Sequence, residues 1–112
     1  MPTLSTHVLD TSRGRPAEGV RVSLYRSADG QLLAERRTDA DGRIADLSVA
    51  LESDKYEEFR LVFATEEYFR GQGITEFFYS EVAIAFRVGV ESAHYHVPLL
   101  LSPFGYSTYR GS

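Results

Sequence analysis

The sequence predicts an all-β protein, a sandwich or barrel of about eight short strands with one short helix. Three features point there. Apolar and polar residues alternate over short runs, as in residues 20–26 and 82–88, which is the period of a strand with one buried face. Turn-forming residues separate those runs at Asp29-Gly30, Asp41-Gly42 and Ser102-Pro103-Phe104-Gly105. The chain has 112 residues, and a β-sandwich of this class needs about 100. Residues 1–112 therefore read as a single domain.

The elements follow in order. Residues 4–10 form a first strand, with Thr6 and Val8 on one face and Ser5, His7 and Leu9 on the other, because side chains alternate along a strand. Residues 11–19, rich in Ser, Gly, Arg and Pro, read as a loop. Residues 20–26 set Val20, Val22 and Leu24 against Arg21, Ser23 and Tyr25, a half-buried strand. The hairpin at Asp29-Gly30 leads into a polar strand over residues 32–38, suited to a sheet edge. Thr38-Asp39-Ala40-Asp41-Gly42-Arg43 is a tight turn: aspartate side chains bond the backbone there and glycine supplies positive φ. Residues 44–47 are a short strand, and residues 48–57, without a clean period, a loop. Phe59, Leu61 and Phe63 alternate with Arg60 and Val62 in the next strand. Thr65 reads as the cap of a helical turn through Glu66, Glu67, Tyr68 and Phe69, ended by Gly71 or Gly73. Val82, Ile84, Phe86 and Val88 make one face of a following strand, and residues 94–101 and 106–110 are the last two.

The charge balance, 12 Lys+Arg against 16 Asp+Glu for a net −4, argues against a nucleic-acid backbone as partner. There is no cysteine, so disulfides and thiolate metal sites are excluded. No apolar run approaches the roughly 20 residues of a membrane span. The first residues lack a charged and an apolar region of the kind that addresses a chain for secretion, and Tyr109-Arg110-Gly111-Ser112 is not a peroxisomal address; a cytoplasmic protein is expected.

Chemistry is expected at the histidines, since imidazole titrates near neutral pH. There are three, His7, His94 and His96. The last two, separated by one residue, face one side of a strand, and His7 lies on the Ser5–Leu9 face. The plainer possibility is that they are surface or core-edge histidines. A His-x-His pair also suits zinc, but with no cysteine and no carboxylate placed beside it, no metal or other cofactor is expected. Glu66 and Glu67 suit the start of a helix, where negative charge meets the macrodipole. Asp39 and Asp41 are explained by their turn, and the charges of residues 54–58 by a solvated face. The C-terminal stretch is unusual, because an aromatic, hydroxyl-rich strand runs to the final residue, with Ser107 and Tyr109 on one face and Tyr106, Thr108 and Arg110 on the other. An ordinary terminal edge strand would leave its last residues dispensable.

Three stretches carry a resemblance. His94-Tyr95-His96-Val97-Pro98-Leu99-Leu100-Leu101-Ser102-Pro103 with Tyr106-Ser107-Thr108-Tyr109-Arg110-Gly111-Ser112 resembles the C-terminal signature of the 5-hydroxyisourate hydrolases, the transthyretin-related proteins. The ending Tyr-Arg-Gly-Ser separates these from true transthyretins. Leu4-Ser5-Thr6-His7-Val8-Leu9-Asp10 resembles the family's first strand with its histidine, and the turn ending in Arg43 resembles its Thr-Asp-x-Asp-Gly-Arg turn, a weak match alone. Order and spacing agree along essentially the whole chain. Two departures lie outside these motifs: Phe77-Phe78-Tyr79 stands where Phe-Phe-Pro is expected, and residues 48–57 align with nothing.

The resemblance implies a transthyretin-like (prealbumin-like) Greek-key sandwich. It implies a homotetramer, a dimer of dimers, around a central channel, with sites at the dimer–dimer contact and 5-hydroxyisourate as substrate. By the same resemblance the catalytic residues are His7, Arg43 and His96. The substrate is held by His7, Arg43, Tyr109 and Ser112, with Ser107, Arg110 and Gly111 in support. No serine has a nucleophile-elbow context, so direct attack by water is the simpler expectation. One histidine, His7 or His96, takes the proton, and the other orients the water or donates to the leaving nitrogen. Arg43 clamps a substrate oxygen with its planar fork and Tyr109 holds the ring. The α-carboxylate of Ser112, ionised with a reference pKa of about 3.3–3.7, fixes an arginine or a histidine tautomer. The alternative is a non-catalytic, transthyretin-like carrier of small aromatic ligands. A third possibility, a β-sandwich scaffold module, has no need of His7, His96 or the tail.

Overall fold

A chain whose apolar residues alternate must bury one face of each strand, and two sheets laid face to face do so. The computed structural model describes residues 2–47, 56–89 and 94–112. In chain order the elements are β1 (Thr3–Asp10), β2 (Arg15–Pro16), β3 (Arg21–Arg26), β4 (Leu32–Arg37), β5 (Arg43–Ile44), β6 (Glu57–Phe63), the helix α1 (Thr65–Gly71), β7 (Val82–Val88), β8 (His94–Ser102) and β9 (Gly105–Thr108). One sheet has the order β2-β1-β8-β9, with β5 also paired to β1; the other has the order β4-β3-β6-β7.

The pairing that joins the two ends of the chain is β1 with β8. It is parallel and in register from Thr3↔His94 to Asp10↔Leu101. Leu4, Val8, Leu99 and Leu101 are fully buried on the inner face, against Phe59, Leu61 and Phe63 of the second sheet's β6. Thr6 is buried among them because its hydroxyl donates to the Val97 carbonyl at 2.6 Å, satisfying a polar group that would otherwise cost stability. The outer face of the same pair carries Thr3, Ser5, His7 and Leu9 beside His94, His96, Pro98 and Leu100.

Asp10 ends β1 inside the protein. One carboxylate oxygen accepts from the Ser12 hydroxyl (2.6 Å) and from the Ser12 and Arg13 amides, and the other accepts from the Tyr68 phenol at 2.7 Å. This fixes α1 to the end of β1. Burial, together with the Asp10 hydrogen bond and charge, pushes the Tyr68 phenol above its ordinary range.

Several boundaries differ from those the sequence suggests. The loop over residues 11–19 contains β2, because Leu9↔Pro16 and Asp10↔Arg15 pair across a tight turn. The strand expected over residues 44–47 is β5, whose ladder contacts are His7↔Arg43 and Thr6↔Ile44; beyond it the Leu47 amide donates to the Leu4 carbonyl at 2.8 Å. Of the loop expected over residues 48–57, residues 48–55 lie outside the described residues, and Glu57 already belongs to β6. Thr65 is not the cap of α1. Ala64 holds that position without a side-chain hydrogen bond, and the buried Thr65 hydroxyl donates instead to the Tyr79 carbonyl at 2.8 Å. The helix ends in a Schellman motif: the Ile74 amide donates to Phe69, the Gly73 amide to Arg70, and Gly73 has φ +78°. The final strand stops at Thr108, with an isolated bridge His96↔Gly111 beyond it.

Gly42 is held to glycine by both its backbone conformation and its surroundings. Its φ is +75°, and a Cβ there would stand 2.3 Å from the Val8 carbonyl oxygen. Its own carbonyl accepts from the Val8 amide at 2.7 Å. Gly42→Ala should lower the unfolding free energy by more than about 1 kcal/mol, read as a drop in the denaturant midpoint. An unchanged midpoint would show that the turn does not hold β1 as described.

Candidate active site

Three strands bring the sequence-predicted residues to the outer face of the first sheet. His7 pairs with Arg43 of β5 on one side and with Pro98 of β8 on the other. One step along, Ser5 pairs with His96, and His96 bridges to Gly111. Paired residues project to the same face, so Arg43, His7, Pro98, Ser5, His96 and Gly111 form two adjacent rows. His7 thus lies across the ladder from Arg43 and diagonally from His96, and all three share one face although they are far apart in sequence.

The turn before β5 sets one side of this cluster. An Asp39 carboxylate oxygen accepts from the Asp41 amide (2.9 Å) and the Arg43 amide (3.0 Å), which fixes the backbone that presents Arg43. The carbonyl of Asp41 accepts from His7 Nε2 at 2.9 Å. A carbonyl cannot donate, so Nε2 carries the hydrogen and the lone pair of neutral His7 is on Nδ1.

The tail sets the other side. The Gly111 amide donates to the His96 carbonyl at 2.8 Å. A Cβ on residue 111 would stand 2.5 Å from His96 Cδ2 and 3.3 Å from Pro98 Cγ, so the imidazole occupies space that only glycine leaves. His96 Nδ1 lies 2.8 Å from Ser5 Oγ. Burial, then the charges of His94, Arg43 and His7, push the His96 imidazole below its ordinary value, and a hydrogen bond to the Ser5 backbone acts the other way. A half-buried imidazole that stays neutral beside a guanidinium can take a proton from water while the guanidinium holds developing negative charge.

The remaining expected residues lie at varied distances from this pair. Arg110 turns to the opposite face. Its guanidinium carbon sits 4.7 Å from the Tyr95 ring centroid and its Nη2 donates to the His94 carbonyl at 3.3 Å, so it anchors the tail. With Ile84, Phe86, Val97 and Thr108 it lines a cavity of about 280 Å³ between the sheet edges, and Tyr109 touches its rim. Tyr109 itself is 58 % exposed. Ser112 is exposed one residue beyond Gly111. Ser107 shares the His96 face but pairs with Leu100, four residues further along β8, or roughly 13 Å at about 3.3 Å per residue.

Sequence reasoning gave no role in the site to Ser5, Thr3, His94 or the Asp41 carbonyl. The alternation Thr3-x-Ser5-x-His7 beside His94-x-His96 is the signal that locates the first three, once the two strands are known to pair. Glu66 and Glu67 are spent on ion pairs, Glu66 with Arg70 (2.9 Å) and Glu67 with Arg37 (2.7 Å) and Arg21 (3.5 Å). Among the described residues no group of three or more His, Cys, Asp or Glu side chains is arranged to hold a metal ion.

Because the folded protein favours neutral His96, its contribution to stability is present above the unfolded imidazole value, about 6.5, and is lost as pH falls through the lower folded value. A titration of the His96 ring signals should therefore have its midpoint below about 6.5. A midpoint at or above that value would contradict the described burial and charge environment.

The matches to known proteins agree with this geometry. Residues 4–111 match the family model described as HIUase/Transthyretin family. A 5-hydroxyisourate hydrolase of Mesorhizobium japonicum is 47 % identical over 115 residues, covering 97 % of this chain and 91 % of the relative. The structure of Klebsiella pneumoniae 5-hydroxyisourate hydrolase superposes with a TM-score of 0.84 at 43 % identity, covering 98 % of this chain and 99 % of that one. Transthyretin from Sparus aurata superposes with a TM-score of 0.82 at 33 % identity, covering 96 % and 95 %. Two facing sheets with a histidine–arginine cluster on an outer face, and a match running nearly end to end, place the chain in the HIUase/Transthyretin family.

Proposed function

We propose that this chain is a hydrolase that converts 5-hydroxyisourate to 2-oxo-4-hydroxy-4-carboxy-5-ureidoimidazoline in urate degradation. The observation that carries the reading is His96, held neutral by its surroundings beside Arg43 and His7. Water adds its oxygen to the ring carbonyl and gives a proton to the His96 imidazole. Arg43 holds the carbonyl oxygen as negative charge develops on it. The C–N bond then breaks, and the nitrogen leaves with a proton returned from the imidazolium. His7, donating to Asp41 through Nε2, has its lone pair on Nδ1 and orients the water. Tyr109 and Ser112 contact the planar substrate, with Gly111 and Arg110 fixing the tail that carries them.

The proposal extends to a cytoplasmic homotetramer with each site completed at a dimer–dimer contact. In support, the half-buried Leu9 and Leu100 lie on the same outer face as the histidines, and a second sheet laid there would cover them and narrow the site to a channel. The similarity to a transthyretin keeps one other reading in play, a carrier that binds a small aromatic ligand without turnover. Such a carrier has no use for a neutral imidazole held among cationic side chains.

His96→Ala should lower kcat/KM by about 10²–10⁴-fold, the usual contribution of a general base, with the unfolding midpoint nearly unchanged. Arg43→Ala should lose most hydrolysis as well. Full activity in either variant would remove that residue from the mechanism. A chain lacking residues 110–112 should also be inactive while remaining folded, and a fully active one would show that the tail lies outside the site. Ligand binding without turnover by the intact chain would favour the carrier.

A further inference from the structure

We propose that His94 and Ser5 are positioning residues that hold His96 in the tautomer with its hydrogen on Nδ1 and its lone pair on Nε2, through the side-chain row Thr3–His94–Ser5–His96. The catalytic consequence rests on the reading of His96 as the base.

The row is built by the β1–β8 register. Thr3 is paired with His94 and Ser5 with His96, so two hydroxyls and two imidazoles alternate on one face. Thr3 Oγ1 and His94 Nδ1 are hydrogen bonded. His94 Nε2 lies 3.3 Å from Ser5 Oγ, and Ser5 Oγ lies 2.8 Å from His96 Nδ1. The two rings stand nearly parallel, 13° apart with centroids 6.5 Å apart.

Counting hydrogens restricts the arrangement. Each hydroxyl brings one, and each neutral imidazole brings one. If Ser5 donated to His96, then His94 would have to donate to Ser5 and Thr3 to His94. That places the hydrogen of His96 on Nε2, the ring nitrogen not bonded to Ser5. The opposite order runs His96 Nδ1–H to Ser5, Ser5 O–H to His94 Nε2, and His94 Nδ1–H to Thr3. It leaves the Nε2 lone pair of His96 open to accept a proton. A base needs its lone pair on the nitrogen that Ser5 does not occupy, so the second order is the one consistent with His96 taking a proton from water. Gly111 against Cδ2 keeps the ring from rotating away. His94 then acts as the acceptor that draws the Ser5 hydrogen away from His96.

The test reads the tautomer directly. The intact protein, with ¹⁵N-labelled histidine at about pH 8, above the ordinary imidazole range, should show His96 with a protonated Nδ1 and a bare Nε2. In His94→Ala the Ser5 hydroxyl is released to donate to His96 Nδ1. The hydrogen of His96 should shift toward Nε2, and kcat should fall by about tenfold or more, as expected when a base is held in the wrong tautomer, with KM little changed. His94→Gln, which offers a carbonyl acceptor, should recover part of both. A wild-type His96 carrying its hydrogen on Nε2, or a His94→Ala protein with unchanged tautomer and kcat, would overturn the proposal. If the tautomer is as stated but His96→Ala remains fully active, the failure lies with His96 as base and not with the hydrogen-bonded row.

Discussion

The in-register parallel pairing of β1 with β8 is the constraint on which the rest depends. A strand's side chains alternate with a period of two, so a slip of one residue would move every one to the other face. The inner face forbids such a slip: Leu4, Val8, Leu99 and Leu101 have no exposure at all, and burying large aliphatic side chains is worth roughly 1.5–3 kcal/mol each. The Thr6 hydroxyl, bonded to the Val97 carbonyl, adds a polar lock that only one register satisfies. The outer face inherits that precision. Hydrophobic packing on one side of a two-strand ladder therefore aligns the histidines on the other.

Two local devices finish the alignment. On one flank the Asp39–Gly42 turn fixes the amide of Arg43 and offers the Asp41 carbonyl to His7. On the other, the Gly111 backbone is tied to His96 and leaves room for its ring. Each device relies on a glycine for a different reason, Gly42 for positive φ and a close carbonyl, Gly111 for a close imidazole. The cluster that results concentrates positive charge around a partly buried imidazole. That arrangement costs stability at low pH and favours a neutral imidazole at neutral pH.

Much of this was legible in the sequence, for identifiable reasons. Strands with one buried face, such as residues 4–10 and 82–88, declare themselves by alternation. The Asp-Gly turn declares itself by the chemistry of aspartate and glycine. His7, Arg43 and His96 were accessible through the resemblance of their motifs. Less legible were features set by partners distant in the chain. The short strand β2 exists only because it meets the end of β1. Thr65 fails as a cap because the segment at Tyr79 claims its hydroxyl. The contact of Arg110 with the Tyr95 ring joins residues of different segments. The alignment of Thr3 and Ser5 with His94 and His96 needs the register of strands some ninety positions apart, which no local pattern reveals.

The central claim is that this histidine–arginine face adds water to 5-hydroxyisourate. Generating that compound in place from urate with urate oxidase, and following its ultraviolet decay with and without the folded protein, tests the claim most directly. The account predicts decay well above the spontaneous rate and proportional to the protein added. A spontaneous rate left unchanged by the folded protein would contradict it.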